Sequence, residues 1–350
     1  MSIFKEKELL ELLSYTFKVG YGDISKEVFF NNGLLNRISG GDIYLYNVNS
    51  KKVICKIITN NVYEKIGEQL DPDGKEGLLD LWIKSQHRIK NSFMLEDKVY
   101  TKIDSLFYEN IPDYYGSFSD KNRGVIFIEY IEDSNETINM NDEKIKFLSF
   151  LHNHYFEKES LCRSIGVYTP TIDVYKHSSE TYLRLLHCIG KYFPMFPKTV
   201  LNDLKYFINN IDDQYRQMVN YGRSLCHGDY SHGNIKISNG KLKVFDWEGA
   251  CFFNPEFDLL RFVSDISVDV TDDYLIYVMR EYYKNAPYRK EKKEFQNCLI
   301  LNSQLQFLDS LSWILLLRRF DNKDNILPKS CQIYLHIYYF LRKYNFNDII

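Results

Sequence analysis

Between Ser224 and Trp247 the chain sets His227, Asp229, Asn234 and Asp246 around one short hairpin, side chains that can move a proton or hold a cation. Asn239-Gly240 lies between two alternating runs, the strongest local signal for a two-residue type I′ turn. Counting outward pairs Ile237 with Leu242 and Ile235 with Val244 on one face, and Lys236 with Lys243 on the other. The like-charged lysines predict that their face meets water. In this register Asn234 falls opposite Phe245, beside Asp246, so an amide oxygen and a carboxylate arrive together at one end of the hairpin. Few oxygen ligands, completed by phosphates and water, are how proteins hold Mg²⁺. Asp229, five residues before Asn234, is placed to accept the proton of a hydroxyl while the metal neutralises phosphate charge. Each carboxylate alone fits an ordinary loop or strand end. The combination of His-x-Asp-x4-Asn with an apolar strand ending in Asp is what points to chemistry.

The elements that must position these groups follow from the periodicities. Residues 26–60 read as short strands: Leu34 to Ile38, the turn Ser39-Gly40-Gly41-Asp42, Ile43 to Val48, a polar turn at Asn49-Ser50, and Val53 to Ile58. Leu78 to Ile103 turns helical, and Val125 to Ile131 reads as a further strand. From about residue 140 the pattern is mainly helical, with Asp142 to Asn153, Glu180 to Tyr192 and Thr199 to Asn220 carrying apolar residues three and four apart. The expected fold is therefore α+β in two lobes. A strand-rich first lobe spans residues 1–130, its hinge falls at about 128–134, and a helical lobe spans 131–350.

Composition narrows the partners. With 350 residues and 26% charged positions the chain is an ordinary globular one. A net charge of −3 lacks the basic excess of a phosphate-backbone binder, so no nucleic-acid partner is expected. Seven cysteines without a CxxC pair predict a reduced, cytoplasmic protein. The amphipathic Met1 to Lys18 has no apolar run that could serve as a signal peptide, and the apolar run Trp313 to Leu317 is too short to cross a bilayer, so no membrane partner is expected.

The block His227-Gly228-Asp229-Tyr230-Ser231-His232-Gly233-Asn234 resembles the catalytic loop of the aminoglycoside phosphotransferase and choline-kinase-like family, which has the protein-kinase-like fold. Val244-Phe245-Asp246-Trp247-Glu248 resembles its metal-binding strand, and Asn254 to Leu260 the segment whose aspartate supports the loop. The resemblance spans about residues 33–262. It implies an antiparallel-sheet N-lobe, a larger helical C-lobe, and ATP (GTP possible) with Mg²⁺ as cofactors. It further implies Asp229 as catalytic base, Asn234 and Asp246 as metal ligands, and Asp258 as an anchor. In the first lobe it implies Ser39, Gly40 and Gly41 as a phosphate loop and Lys56, in Val53-Ile54-Cys55-Lys56-Ile57, as the lysine on the α- and β-phosphates. A lysine in an apolar strand needs a charged partner on its own account. Glu96 is the expected one, with Glu109 the alternative. Backbone groups of Glu129 and Ile131 are implied as adenine contacts, and His152 as a structural histidine. Phe253-Asn254 departs from the family's usual Gly-Asp.

Pro255 follows Asp246 by only nine residues. Protein kinases place an activation segment of about 20–30 residues there, so a small-molecule hydroxyl acceptor is expected ahead of a protein serine/threonine kinase. A non-catalytic ATP-binding regulatory protein on the same scaffold is the remaining class. An aminoglycoside, an amino alcohol and a sugar all remain open as acceptor. Asp265, Asp269, Asp272 and Asp273 suit a cationic one, although Thr271-Asp272-Asp273 also reads as a helix start. Two roles remain open for His232: lying near the transferred phosphate, or hydrogen-bonding the loop. The oligomeric state is also open.

Overall fold

A computed structural model describes residues 4–29, 42–59, 94–121, 123–132, 140–288, 291–317 and 327–350. The expected strand Leu34 to Ile38, the turn residues Ser39, Gly40 and Gly41, and the first part of the expected helix from Leu78 lie outside them. The described residues form two compact units: those before Thr137 together with Lys236–Glu248, and Thr137–Ile235 with Gly249–Ile350. The hairpin placed by sequence in the helical lobe thus belongs, from Lys236 on, to the sheet unit. Its strands pack there rather than following chain order.

In the sheet unit, α1 (Glu6–Phe17) precedes β1 (Ile24–Phe29), β2 (Ile43–Val48) and β3 (Lys51–Thr59); α2 (Leu95–Lys102), β4 (Tyr114–Ser119) and β5 (Arg123–Glu129) follow. The sheet is antiparallel in the order β1-β2-β3-β5-β4. Both residues of the Asn49-Ser50 turn take positive φ, 49° and 66°, the twist a two-residue hairpin requires. Alternation along β3 sends Val53, Cys55 and Ile57 into a core with Tyr46, Val48, Val125 and Phe127, covered by Leu9 and Leu13 of α1. The same period of two turns Lys56 to the opposite face.

The helical unit holds α3 (Met140–Tyr155), α4 (Glu159–Ile165), α5 (Ile172–Tyr192), α6 (Lys198–Asn209) and α7 (Ile211–Asn220). The single helix expected over Thr199 to Asn220 is in fact two, broken at Asn210, whose backbone leaves helical geometry (φ −113°, ψ 26°). Strand β6 (Ser224–Cys226) leads into the loop from His227 to Asn234, β7 (Ile235–Ser238) and β8 (Lys241–Val244) form the hairpin, and β9 (Cys251–Phe253) follows. Asn239 and Gly240 have φ of 52° and 72°, the type I′ turn expected. Ile235, Ile237, Leu242 and Val244 are all buried, in keeping with the register read from sequence. The lysine face does not simply meet water: Lys243 is 12% exposed, donates to the Ile111 carbonyl at 2.8 Å and faces Glu129.

Helices α8 (Glu256–Val263), α9 (Asp272–Lys284), α10 (Lys292–Leu317), α11 (Lys329–Lys343) and the short α12 (Phe346–Ile349) complete the chain. Five consecutive residues of α10, from Leu301 to Leu305, are all buried, the mark of a helix with neighbours on every side there. Among the described residues no helix is long and apolar enough to cross a membrane. All seven cysteines are free thiols.

Candidate active site

Lys56 is 6% exposed and its ammonium meets three carboxylates. Its Nζ donates to Glu96 Oε2 at 2.7 Å, to Glu248 Oε2 at 3.2 Å, and to Asp246 Oδ1. Of the two glutamates considered from sequence, Glu96 is the one on Lys56. Glu109 instead pairs with Lys241 at 2.8 Å near the surface. Glu96 sits in the first turn of α2, 1% exposed, and Tyr100, one turn on, donates to its other oxygen at 2.7 Å. Burial alone would lower the Lys56 pKa, but Asp246, Glu248 and Glu96 together raise it well above the usual ammonium value. For Glu248 burial wins: helped by Asp246 and Glu96, and opposed by Lys56, it pushes the carboxyl up to about 8. With Glu248 largely protonated near neutral pH, Glu96 and Asp246 set two carboxylates against one ammonium, an excess of negative charge suited to a divalent cation.

Asp246 is held in left-handed backbone (φ 68°), an uncommon conformation for a residue with a side chain. Trp247 behind it is fully buried and donates to the Val244 carbonyl at 3.1 Å, fixing the chain reversal after β8.

In the helical unit, β6 and β9 pair antiparallel with Cys226 opposite Cys251, which pins both flanks of the loop-and-hairpin block. Asp258, in the first turn of α8 and fully buried, accepts the His227 N–H at 2.6 Å on Oδ2 and the Gly228 N–H at 2.9 Å on Oδ1. His152 of α3 stands 3.3 Å from the same carboxylate through Nε2 and 2.6 Å from the Tyr282 hydroxyl through Nδ1. Both side chains are fully engaged in these buried contacts. Gly228 takes φ +84°, and a Cβ there would lie 1.9 Å from the Gly249 carbonyl oxygen, so the loop is built on this glycine.

The loop turns Asp229 outward, its side chain 40% exposed. Asn234 donates from Nδ2 to Asp229 Oδ2 and to the Asp229 carbonyl, both at 3.0 Å. With its nitrogen used twice in this way, the amide oxygen is the Asn234 atom left to act as a metal ligand. Arg261, which sequence reasoning missed, donates from Nε to Asp229 Oδ1 at 2.5 Å. Its only sequence signal was its place three residues after Asp258, on the same face of α8.

The His232 ring stacks on Phe262 with centroids 4.4 Å apart, the His232 backbone N–H donates to Asp265 Oδ2 at 2.8 Å, and Nδ1 lies 3.2 Å from the Lys144 ammonium. It therefore ties the loop to α3 and to the end of α8. Asp265 is occupied in that tie, and Asp272 opens α9 behind the Thr271 cap, as a helix start would have it.

Asn254, where the family usually has Asp, is buried. It donates to the Met218 and Gly222 carbonyls at 3.1 and 2.8 Å, a task a carboxylate cannot perform. Its oxygen accepts from Cys298 and Asn302 of α10. Of the implied adenine contacts, the Glu129 N–H is already bonded to the Asp113 carbonyl at 2.8 Å, and the Ile131 carbonyl lies 3.4 Å from the Lys236 ammonium. Any adenine contact at Glu129 would have to use its carbonyl. The implied phosphate loop at Ser39, Gly40 and Gly41 lies outside the described residues.

Residues 193–293 match the phosphotransferase enzyme family. No curated protein matches the chain in sequence. Among solved structures, the choline kinase from Cryptosporidium parvum Iowa II is similar over 97% of this chain and 96% of its own, at 8% identity and a TM-score of 0.52. A type I macrolide 2′-phosphotransferase aligns over 95% and 99%, at 12% identity and 0.52. A Plasmodium vivax ethanolamine kinase aligns over 95% and 90%, at 15% identity and 0.50. The chain thus has the protein-kinase-like fold and, through residues 193–293, carries the resemblance to the aminoglycoside phosphotransferase and choline-kinase-like family.

Proposed function

We propose that this chain transfers the γ-phosphoryl group of ATP, with Mg²⁺, to a hydroxyl of a small molecule such as an amino alcohol, a sugar or an aminoglycoside-like compound. The observation that carries this reading is the buried Lys56 ammonium, paired with Glu96 and shared with Asp246, the residue two positions beyond β8. An ordinary structural ion pair needs one carboxylate, and a second carboxylate on the same ammonium leaves negative charge for another cation. Asn234, through its oxygen, and Asp246 are the residues that would hold Mg²⁺, which when bound neutralises charge on the phosphates.

Lys56 supplies a fixed positive charge for the phosphates at no reorganisation, because Glu96, itself held by Tyr100, already fixes its ammonium. Asp229 receives the acceptor hydroxyl and takes its proton as the oxygen attacks phosphorus. Asp258 fixes the backbone on which Asp229 stands. Positioning and charge supply most of the acceleration, with no covalent intermediate on the protein. Of the protein's residues, those in contact with the acceptor decide its identity, and the short interval between Asp246 and Pro255 favours a small molecule over a peptide.

The test is ADP release from Mg-ATP across choline, ethanolamine, aminoglycosides, macrolides, sugars and nucleosides, with Asp229→Asn and Asp246→Ala alongside. Acceptor-dependent release that both substitutions abolish is expected. Release that survives Asp229→Asn would remove the base assignment, and failure of the wild-type protein to bind ATP would remove the whole reading.

A further inference from the structure

Asp229 is a loop carboxylate with 40% of its side chain exposed, and the terminal torsion of an aspartate is soft. Left alone it would present its oxygens over a broad range of orientations. In the structure both oxygens are tied, Oδ1 to Arg261 Nε at 2.5 Å and Oδ2 to Asn234 Nδ2 at 3.0 Å. Two donors at the two ends of a planar group fix the plane. Each oxygen keeps a further lone pair with which to accept a hydroxyl proton.

Arg261 stands three residues after Asp258 on α8, so the two side chains rise from the same side of one helix. Asp258 grips the loop backbone at His227 and Gly228, and Arg261 grips the side chain of the next residue. A single rigid element therefore sets both the position of the Asp229 backbone and the direction of its carboxylate. We infer that Arg261 is a positioning residue, which fixes the Asp229 carboxylate for the acceptor hydroxyl; this rests on the reading of Asp229 as the base. Lysine would not serve equally, since its ammonium is a point charge on a flexible stem rather than a planar donor.

The experiment compares Arg261→Ala, Arg261→Lys, Asp229→Asn and the Asp229→Asn/Arg261→Ala double variant. ADP release from Mg-ATP is followed with choline, ethanolamine and kanamycin, and with water as acceptor where none of these accelerates it. A misplaced reacting group costs on the order of 10²-fold in rate, so Arg261→Ala is expected to lose about that much in kcat. KM for ATP and the thermal midpoint should stay as in wild type. Arg261→Lys should recover only part of the loss, and millimolar guanidinium chloride, but not equal sodium chloride, should restore Arg261→Ala. Because Arg261 acts through Asp229, the double variant should be no slower than Asp229→Asn alone.

Near-wild-type kcat in Arg261→Ala, with Asp229→Asn inactive, would overturn the inference and leave the proposed function standing. A raised acceptor KM with unchanged kcat would place Arg261 on the acceptor instead, and overturn it equally. An active Asp229→Asn would overturn the base assignment and the inference with it.

Discussion

Replacing Asp258 tests whether one buried carboxylate holds the catalytic-type loop. It accepts two backbone N–H groups, from His227 at 2.6 Å and Gly228 at 2.9 Å, with no exposed surface of its own. Asparagine keeps one acceptor oxygen but turns an NH₂ toward the second N–H, so one buried donor loses its partner. That costs about 1–3 kcal/mol, and the surviving bond, no longer charge-assisted, weakens by about 1 kcal/mol more. Alanine orphans both buried donors, at about 1–3 kcal/mol each, and leaves His152 without its hydrogen-bond partner. The expected order is wild type, then Asp258→Asn at a loss of about 3 kcal/mol, then Asp258→Ala at about 5 kcal/mol. Urea unfolding followed by circular dichroism reads the losses as midpoint shifts at constant slope. Amide exchange at His227 and Gly228 reads the two hydrogen bonds directly, and both should lose protection. A loss under about 1 kcal/mol in Asp258→Ala, or an asparagine variant less stable than the alanine one, would refute the argument. So would unchanged exchange at both amides.

Three further outcomes are expected. Lys56→Met leaves Glu96 buried without its cation and should cost about 3–5 kcal/mol in urea unfolding, together with most of the affinity for ATP measured by calorimetry; an equally stable variant would show that the ion pair is dispensable. Gly228→Ala forces a Cβ to within 1.9 Å of the Gly249 oxygen at a φ of +84° and should cost about 3 kcal/mol or more in the same assay. The His232 pKa is pushed down to about 4, chiefly by burial and then by Lys144, against the pull of Asp265. An unfolded histidine protonates near 6.5, so between about pH 6.5 and 4 the unfolded chain binds the extra proton and stability falls as pH falls. His232→Gln should flatten that acid limb relative to wild type, and parallel limbs would mean that the ring is already solvated.

Much of the site was legible because its parts are local. The Asn-Gly turn sets the hairpin register through the twist of paired strands, and Ile235, Ile237, Leu242 and Val244 are buried as that register requires. Alternation along β3 likewise turned Lys56 away from Cys55 and Ile57, leaving a charge in an apolar strand that had to find a partner. Asp258 was reached only through the resemblance of Asn254 to Leu260 to the family's segment, and its place at the start of α8 came from the structure.

What lay beyond the sequence were contacts between segments far apart in the chain. Nothing local in Leu95–Lys102 distinguishes Glu96 from any other helix glutamate; packing against β3 does. Arg261 looks like one more surface cation until the loop 32 residues earlier brings Asp229 against it. Asn254 read as a departure from a pattern; the Met218 and Gly222 carbonyls, more than 30 residues earlier, need its amide as donor, and Cys298 and Asn302 of α10, more than 40 residues later, donate to its oxygen. The lysine face of the hairpin, predicted to meet water, is instead bonded to the Ile111 carbonyl and set beside Glu129, because the sheet unit supplies acceptors that strand pairing alone does not reveal. Turn chemistry and period-two alternation are short-range and survive in the sequence, whereas the partner of a buried charge is chosen by whichever distant segment the tertiary fold brings alongside.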